Sequence, residues 1–188
     1  SNRDIIGIVP KSPDISLDID GNSHIVWRDY YNFQSGLYYC RLDSSGAIST
    51  NFKIIAQENV KFPRVNVSED YLNIVFQDNR SGSDQIYYVY AVNGDRLLSN
   101  SEASARKPAV CADRGNKNLL FVAWNDTRGA SEEVYLRQVN ADIGEEVLIS
   151  EPGNSSTEVD LKVRHGVCYL AWQDSRDGNT EIYMRQWR

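Results

Sequence analysis

The pattern Trp172-Gln173-Asp174-Ser175-Arg176-Asp177-Gly178, followed by Ile182-Tyr183, occurs in near copy three more times along the chain. Earlier versions read Trp124-Asn125-Asp126-Thr127-Arg128-Gly129 with Val134-Tyr135, and Phe76-Gln77-Asp78-Asn79-Arg80-Ser81-Gly82 with Ile86-Tyr87. The first, Trp27-Arg28-Asp29 with Leu37-Tyr38, has Tyr31 where the others carry Arg. The aromatic residue advances in steps of 49, 48 and 48, and the Asp always stands nine residues before the Tyr. A constant period of this size marks a repeat architecture, in which each unit buries its apolar face against its neighbours.

Within a unit, short β-prone runs alternate with turns rich in Gly, Asn, Asp and Ser, and nothing shows sustained helical spacing. The third unit has runs at 109–112, 119–124, 134–137 and 147–149. Four antiparallel strands at a period near 48 specify a propeller blade. The expectation is an all-β, four-bladed β-propeller occupying 1–188 as one domain, with blades at about 14–56, 63–99, 108–150 and 157–188 plus 4–9. The last unit stops one strand short. Ile5-Ile6 precedes Trp27 by about the interval that separates Ile54-Ile55 from Phe76. That run is expected to pair with the strand carrying Tyr183 and close the ring, which would hide the sheet edges. The competing possibility is four blades of a longer propeller, or half of a dimeric ring.

Composition bears on partners more than on fold. The net charge is -6, with no dense cluster of Lys or Arg, so a nucleic-acid or anionic-membrane partner is not expected. No apolar run approaches the roughly 20 residues of a membrane helix. Cys40, Cys111 and Cys168 stand far apart in strand-like runs, an odd count that reads as buried free thiols. His24 and His165 are isolated from other metal-binding types, which argues against zinc, and both are expected in solvent. The acidic pairs Glu132-Glu133 and Glu145-Glu146 read as solvated turn or edge residues.

The repeated motif carries its own chemistry. The aromatic suits the greasy contact between blades, and Asp29, Asp78, Asp126 or Asp174 can accept backbone N–H groups of its own turn. Arg80, Arg128 or Arg176 can fork onto a carboxylate, and the Tyr packs one strand away. Four such sets could be four identical ligand sites, but a self-bracing turn copied with the blade explains them more simply.

The motif aromatic-x-Asp-x-Arg-x-Gly followed by Ile-Tyr resembles the repeats of bacterial and archaeal β-propellers of the TolB-like and cell-surface type. The resemblance covers all four units. It implies an extracytoplasmic or cell-surface setting and a binding or scaffolding role. A closed four-bladed ring would also resemble the hemopexin domain in architecture, although the blade motif differs. Ser175-Arg176-Asp177-Gly178-Asn179-Thr180 is only superficially similar to the Asp-box of sialidases; it is one residue short and occupies a different turn.

Function is sought where the repeats disagree. Tyr30 and Tyr31 in the variant first connection, and Trp187 near the C-terminus, are candidate aromatic platforms for a protein or glycan ligand. Trp187 has a second reading, in which it ends a strand and packs. Alternate polar positions of the innermost strands place Asp14, Ser16, Arg64, Asn66, Glu158 and Asp160 in a narrow central channel, where carboxylates and carbonyls could hold Ca²⁺ or another ion. No organic cofactor is expected. The leading expectation is a non-enzymatic propeller binding a protein or glycan through one face or rim. The alternative is a carbohydrate hydrolase with acids at the channel mouth, which requires Asp14, Asp18, Glu158 and Asp160 to converge and stay free of ion pairs.

Overall fold

A computed structural model of the chain describes residues 10–31, 34–55, 59–69, 71–90, 94–100, 102–139 and 143–188. It contains fifteen strands and, among these residues, no helix, hence no helix able to cross a membrane. Sheet one runs in the order β1 (Lys11–Leu17), β2 (Ser23–Tyr31), β3 (Gln34–Leu42) and β4 (Ile48–Ile55). Sheet two is β5 (Lys61–Ser68), β6 (Tyr71–Asp78), β7 (Gln85–Tyr90) and β8 (Asp95–Leu97). Sheet three is β9 (Ala105–Asp113), β10 (Asn116–Asp126), β11 (Glu133–Val139) and β12 (Ile143–Leu148). Sheet four has three strands, β13 (Ser156–Arg164), β14 (Val167–Asp174) and β15 (Glu181–Trp187). Every pairing is antiparallel between sequence neighbours, so each sheet is a meander and each unit a blade.

Blade-to-blade packing repeats position by position. In blades two to four the motif aromatic turns back onto the blade before it: Phe76 sits with Val26 and Leu37, Trp124 with Val75 and Tyr88, and Trp172 with Phe121 and Leu136. The forward face supplies Leu37 and Tyr39 in blade one, Ile86 and Tyr88 in blade two, and Val134 and Leu136 in blade three. In register these correspond to Ile182 and Met184 of blade four, because Leu136 pairs with Ala123 as Met184 pairs with Ala171. Yet Leu136 is 1% exposed and Met184 75%. At the other end, Ile15 and Leu17 occupy the places of buried Val65 and Val67 and are exposed.

The innermost strands accordingly pack in the series β1–β5–β9–β13, with no comparable packing of β13 on β1 among the described residues. Both end faces are uncovered there. The expected closing strand around Ile5-Ile6 lies outside the described residues, so its pairing with β15 is not on view. Among the described residues the four innermost strands line a central cavity of about 1380 Å³, wider than the narrow channel expected.

Each innermost strand starts before the expected first residue of its blade, by three residues in blades one and three, two in blade two and one in blade four, and each contains a β-bulge. The register slips between Lys11 and Asp14, Lys61 and Arg64, Arg106 and Ala109, and Thr157 and Asp160. In each slip one residue has left-handed backbone: Ser12 (φ 53°), Phe62 (46°), Lys107 (48°) and Glu158 (53°). A bulge residue of this hand is ordinarily Gly, since a side chain there costs about 1–2 kcal/mol. None of the four is Gly.

Candidate functional site

The repeated motif forms a closed unit. In blade four Arg176 N–H donates to Asp174 Oδ1 (2.9 Å), while Arg176 Nη2 (2.6 Å) and Trp172 Nε1 (3.0 Å) donate to Oδ2. Asp126 receives the same three donors from Arg128 and Trp124, and Asp78 receives two from Arg80. The second arm of each Arg reaches another acid: Asp95 for Arg80, Glu146 for Arg128 (2.6 Å) and Glu151 for Arg176 (2.8 Å). Each guanidinium also lies over the motif Tyr, 4.3, 4.2 and 4.1 Å from the ring centroids of Tyr87, Tyr135 and Tyr183. The Tyr in turn stacks on the motif aromatic, in blade one as well, where Trp27 stacks on Tyr38 and donates to Asp29. This Arg–Tyr–Trp stack is a cation–π column capped by a carboxylate. The bond from Arg176 holds the Asp174 carboxyl well below the usual carboxylate range against the opposing pull of burial. With their oxygens occupied, these acids brace the turn and leave little to offer a ligand.

All six residues assigned to the channel line the central cavity. Several face sideways, however. Val65 N–H donates to Asp14 Oδ2 (2.8 Å), Val67 N–H to Ser16 Oγ (3.0 Å) and Ala112 N–H to Asn66 Oδ1 (2.9 Å). Each is a staple from one innermost strand to the next. Asp113 joins the set at the far end, accepting from Gly115 (2.7 Å) and from Gly166 of the next blade. Arg64 lies 3.7 Å from Asp14, Glu158 pairs with Lys107, and Asp160 accepts from its own Leu161 N–H with Lys162 3.8 Å away. Among the described residues the wall carries four carboxylates and five Lys or Arg side chains, close to balance.

The start of each innermost strand lies beside the motif turn, as the pairs Lys61–Gln77, Ala105–Asp126 and Ser156–Asp174 show. The bulges therefore lie at the brace-side end of the innermost strands, and those of blades two, three and four border the cavity. Phe62, Lys107 and Glu158 are on its wall, and Phe62 is 40% exposed. Sequence reasoning missed these residues apart from Glu158. A faint signal exists: Pro13, Pro63 and Pro108 each follow a bulge residue, but blade four has Val159 there.

Other expectations land elsewhere. Asp18, expected at the channel mouth, sits at the opposite end of β1 against a separate cavity of about 380 Å³. It accepts from Asn22 Nδ2 (2.7 Å), and His24 Nε2 lies 3.1 Å away. His24, expected in solvent, is buried, with Tyr39 Oη 2.8 Å from its Nδ1; strand alternation aims it at blade two. Glu133 is buried with the Tyr135 hydroxyl donating to it, and Glu146 ties Arg128 to Arg137 (3.2 Å); neither is a solvated edge residue. Cys40, Cys111 and Cys168 are buried free thiols, and burial pushes Cys168 up to about 12. Trp187, considered as an exposed platform, is half-buried with its ring edge-on to Phe121 at 5.6 Å. Tyr30 and Tyr31 end β2 opposite Ser35 and Gln34, and their side chains lie outside the described residues. Among those residues, no group of three or more His, Cys, Asp or Glu is placed to hold a metal ion, so the expected channel ion finds no carboxylate cage there.

No protein-family model matches the chain, and no curated protein sequence does. Solved structures do match in fold. A TolB-like structure from Agrobacterium tumefaciens superposes with a TM-score of 0.63 at 16% identity, over 94% of this chain and 57% of that one. An α-L-arabinanase from Penicillium chrysogenum complexed with arabinobiose gives 0.63 at 14%, over 95% and 62%. The α-L-arabinofuranosidase PaAbf62A from Podospora anserina, in complex with cellotriose, gives 0.56 at 14%, over 100% and 66%. The chain thus spans roughly three-fifths of the length of these structures. Identity at this level speaks to fold alone, and together with the four serially packed meanders it supports a β-propeller.

Proposed function

We propose that the chain is a binding propeller that takes a glycan at the brace-side mouth of its central cavity and leaves it intact. The observation that carries this reading is the state of the cavity carboxylates. Glycoside cleavage needs one acid to protonate the leaving group and a second, about 5–10 Å off, to attack or to activate water. Here Glu158 is ion-paired with Lys107, Asp14 and Asp113 accept backbone N–H groups, and Asp160 is bonded to its own strand. Such groups can read sugar hydroxyls, which only need donors and acceptors held in place. The balanced wall favours an uncharged ligand over a phosphate or a polycation. The oligosaccharides in the arabinanase and arabinofuranosidase complexes lend support from outside this chain. An exported or cell-surface location accords with a glycan ligand and forms part of the proposal.

Those same two names favour a second reading, carbohydrate hydrolysis at this cavity. Calorimetric titration with cellotriose, arabinobiose and longer neutral oligosaccharides, followed by chromatography of the sugars, separates the two. The binding reading expects saturable heat and full recovery of intact sugar. Shorter products would replace it with the hydrolase. No heat from any sugar would remove both.

A further inference from the structure

We infer that the left-handed bulge residues form the selecting rim of this cavity, with Phe62 as the stacking platform for a neutral sugar ring and the Lys107–Glu158 pair as the reader of its hydroxyls. The inference rests on the glycan-binding reading and adds to it the residues that choose the ligand.

The same backbone irregularity recurs in all four innermost strands, at the same distance from the motif turn. If it served only to bend the strand, Gly would fill it without strain. The chain instead places a hydroxyl, a phenyl ring, an ammonium and a carboxylate there, at Ser12, Phe62, Lys107 and Glu158. The motif Asp is the same in all four blades and the motif aromatic stays aromatic; here the four side chains differ in chemical type. Persistent strain under side chains that vary in type is a reason to look for a role in those side chains.

The backbone is also held without them. The N–H of Lys107 donates to Gln77 Oε1 of the preceding blade (3.1 Å), and Asn125 Nδ2 donates to the Ser156 carbonyl (2.9 Å) at the start of β13. These bonds fix the entry of the innermost strand whatever the bulge residue is. The side chains are left to the cavity: Phe62 is partly exposed, and Lys107 reaches from blade three to Glu158 on blade four. An aromatic ring on the same cavity wall as a donor–acceptor pair suits a sugar ring, which has an apolar C–H face and equatorial hydroxyls.

Substituting Gly keeps the left-handed backbone and removes the side chain, so Phe62→Gly and Lys107→Gly separate recognition from folding. With the tightest-binding neutral oligosaccharide as titrant, Phe62→Gly is expected to keep or raise the melting temperature and to weaken binding at least tenfold. Phe62→Leu, which retains bulk without the ring face, should lose nearly as much. Lys107→Gly is expected to reorder affinities among sugars that differ in hydroxyl orientation. If Phe62→Gly binds as the unaltered protein does, the rim assignment is wrong while glycan binding stands. A large fall in its melting temperature would make Phe62 a packing residue and overturn the assignment as well. If the unaltered protein binds no sugar, the underlying reading fails and this inference with it.

Discussion

At Asp174 both carboxylate oxygens are occupied, by the Arg176 backbone and by the Arg176 and Trp172 side chains, with Ser156 Oγ donating as well (2.9 Å). Its folded-state pKa is depressed, chiefly by Arg176, so the stabilisation it contributes is present above the ordinary carboxylate value. That contribution is lost as pH falls through the depressed one. Asp174→Asn should therefore destabilise by about 2 kcal/mol near neutral pH. Denaturant melts of both proteins should show a constant gap from pH 6 to 8 that closes toward pH 2; a gap that widens in acid would contradict the brace. The Asp–Arg spacing was legible because it repeats in register. The Arg–Tyr stack was not, since Tyr183 is one strand over and only the pairing of Trp172 with Tyr183 brings the ring under the guanidinium. His24 was misjudged for a related reason: its place at the start of a strand suggests solvent, but strand alternation turns it toward blade two, against Tyr39.

At the scale of the strand and blade, period and alternation located nearly every element, because apolar runs bounded by turn residues are a local signal. Two features escaped. Left-handed bulge residues have no residue-type signature when they are not Gly, and the Pro that follows three of them reads as a strand stop. Alternation also says which residues share a face without saying what that face meets, so it gave no sign that Asp14, Ser16 and Asn66, which line the cavity, also staple neighbouring blades. Register equivalence yields a sharp contrast between blades. Leu136→Ala removes a side chain buried against blade four and should cost about 2–5 kcal/mol. Met184→Ala, at the matching position of blade four, should change stability by no more than about 0.5 kcal/mol. Equal losses in chemical denaturation would mean that Met184 is covered in solution, as a closed ring requires.

For the whole molecule, the series β1–β5–β9–β13 matters more than any single blade, since these strands together line the central cavity. The architecture was readable from the repeat. The width of the cavity was not, because it depends on how neighbouring blades are set against one another, and no local pattern encodes that. What the cavity does at its brace-side mouth is the centre of the account, and hydrogen–deuterium exchange with and without a bound neutral oligosaccharide tests it most directly. Protection should appear at the bulges, across 61–64, 106–109 and 157–160, with the pocket around Asp18 and His24 unchanged. Protection at that pocket or along the outer strands, with the bulges silent, would contradict it.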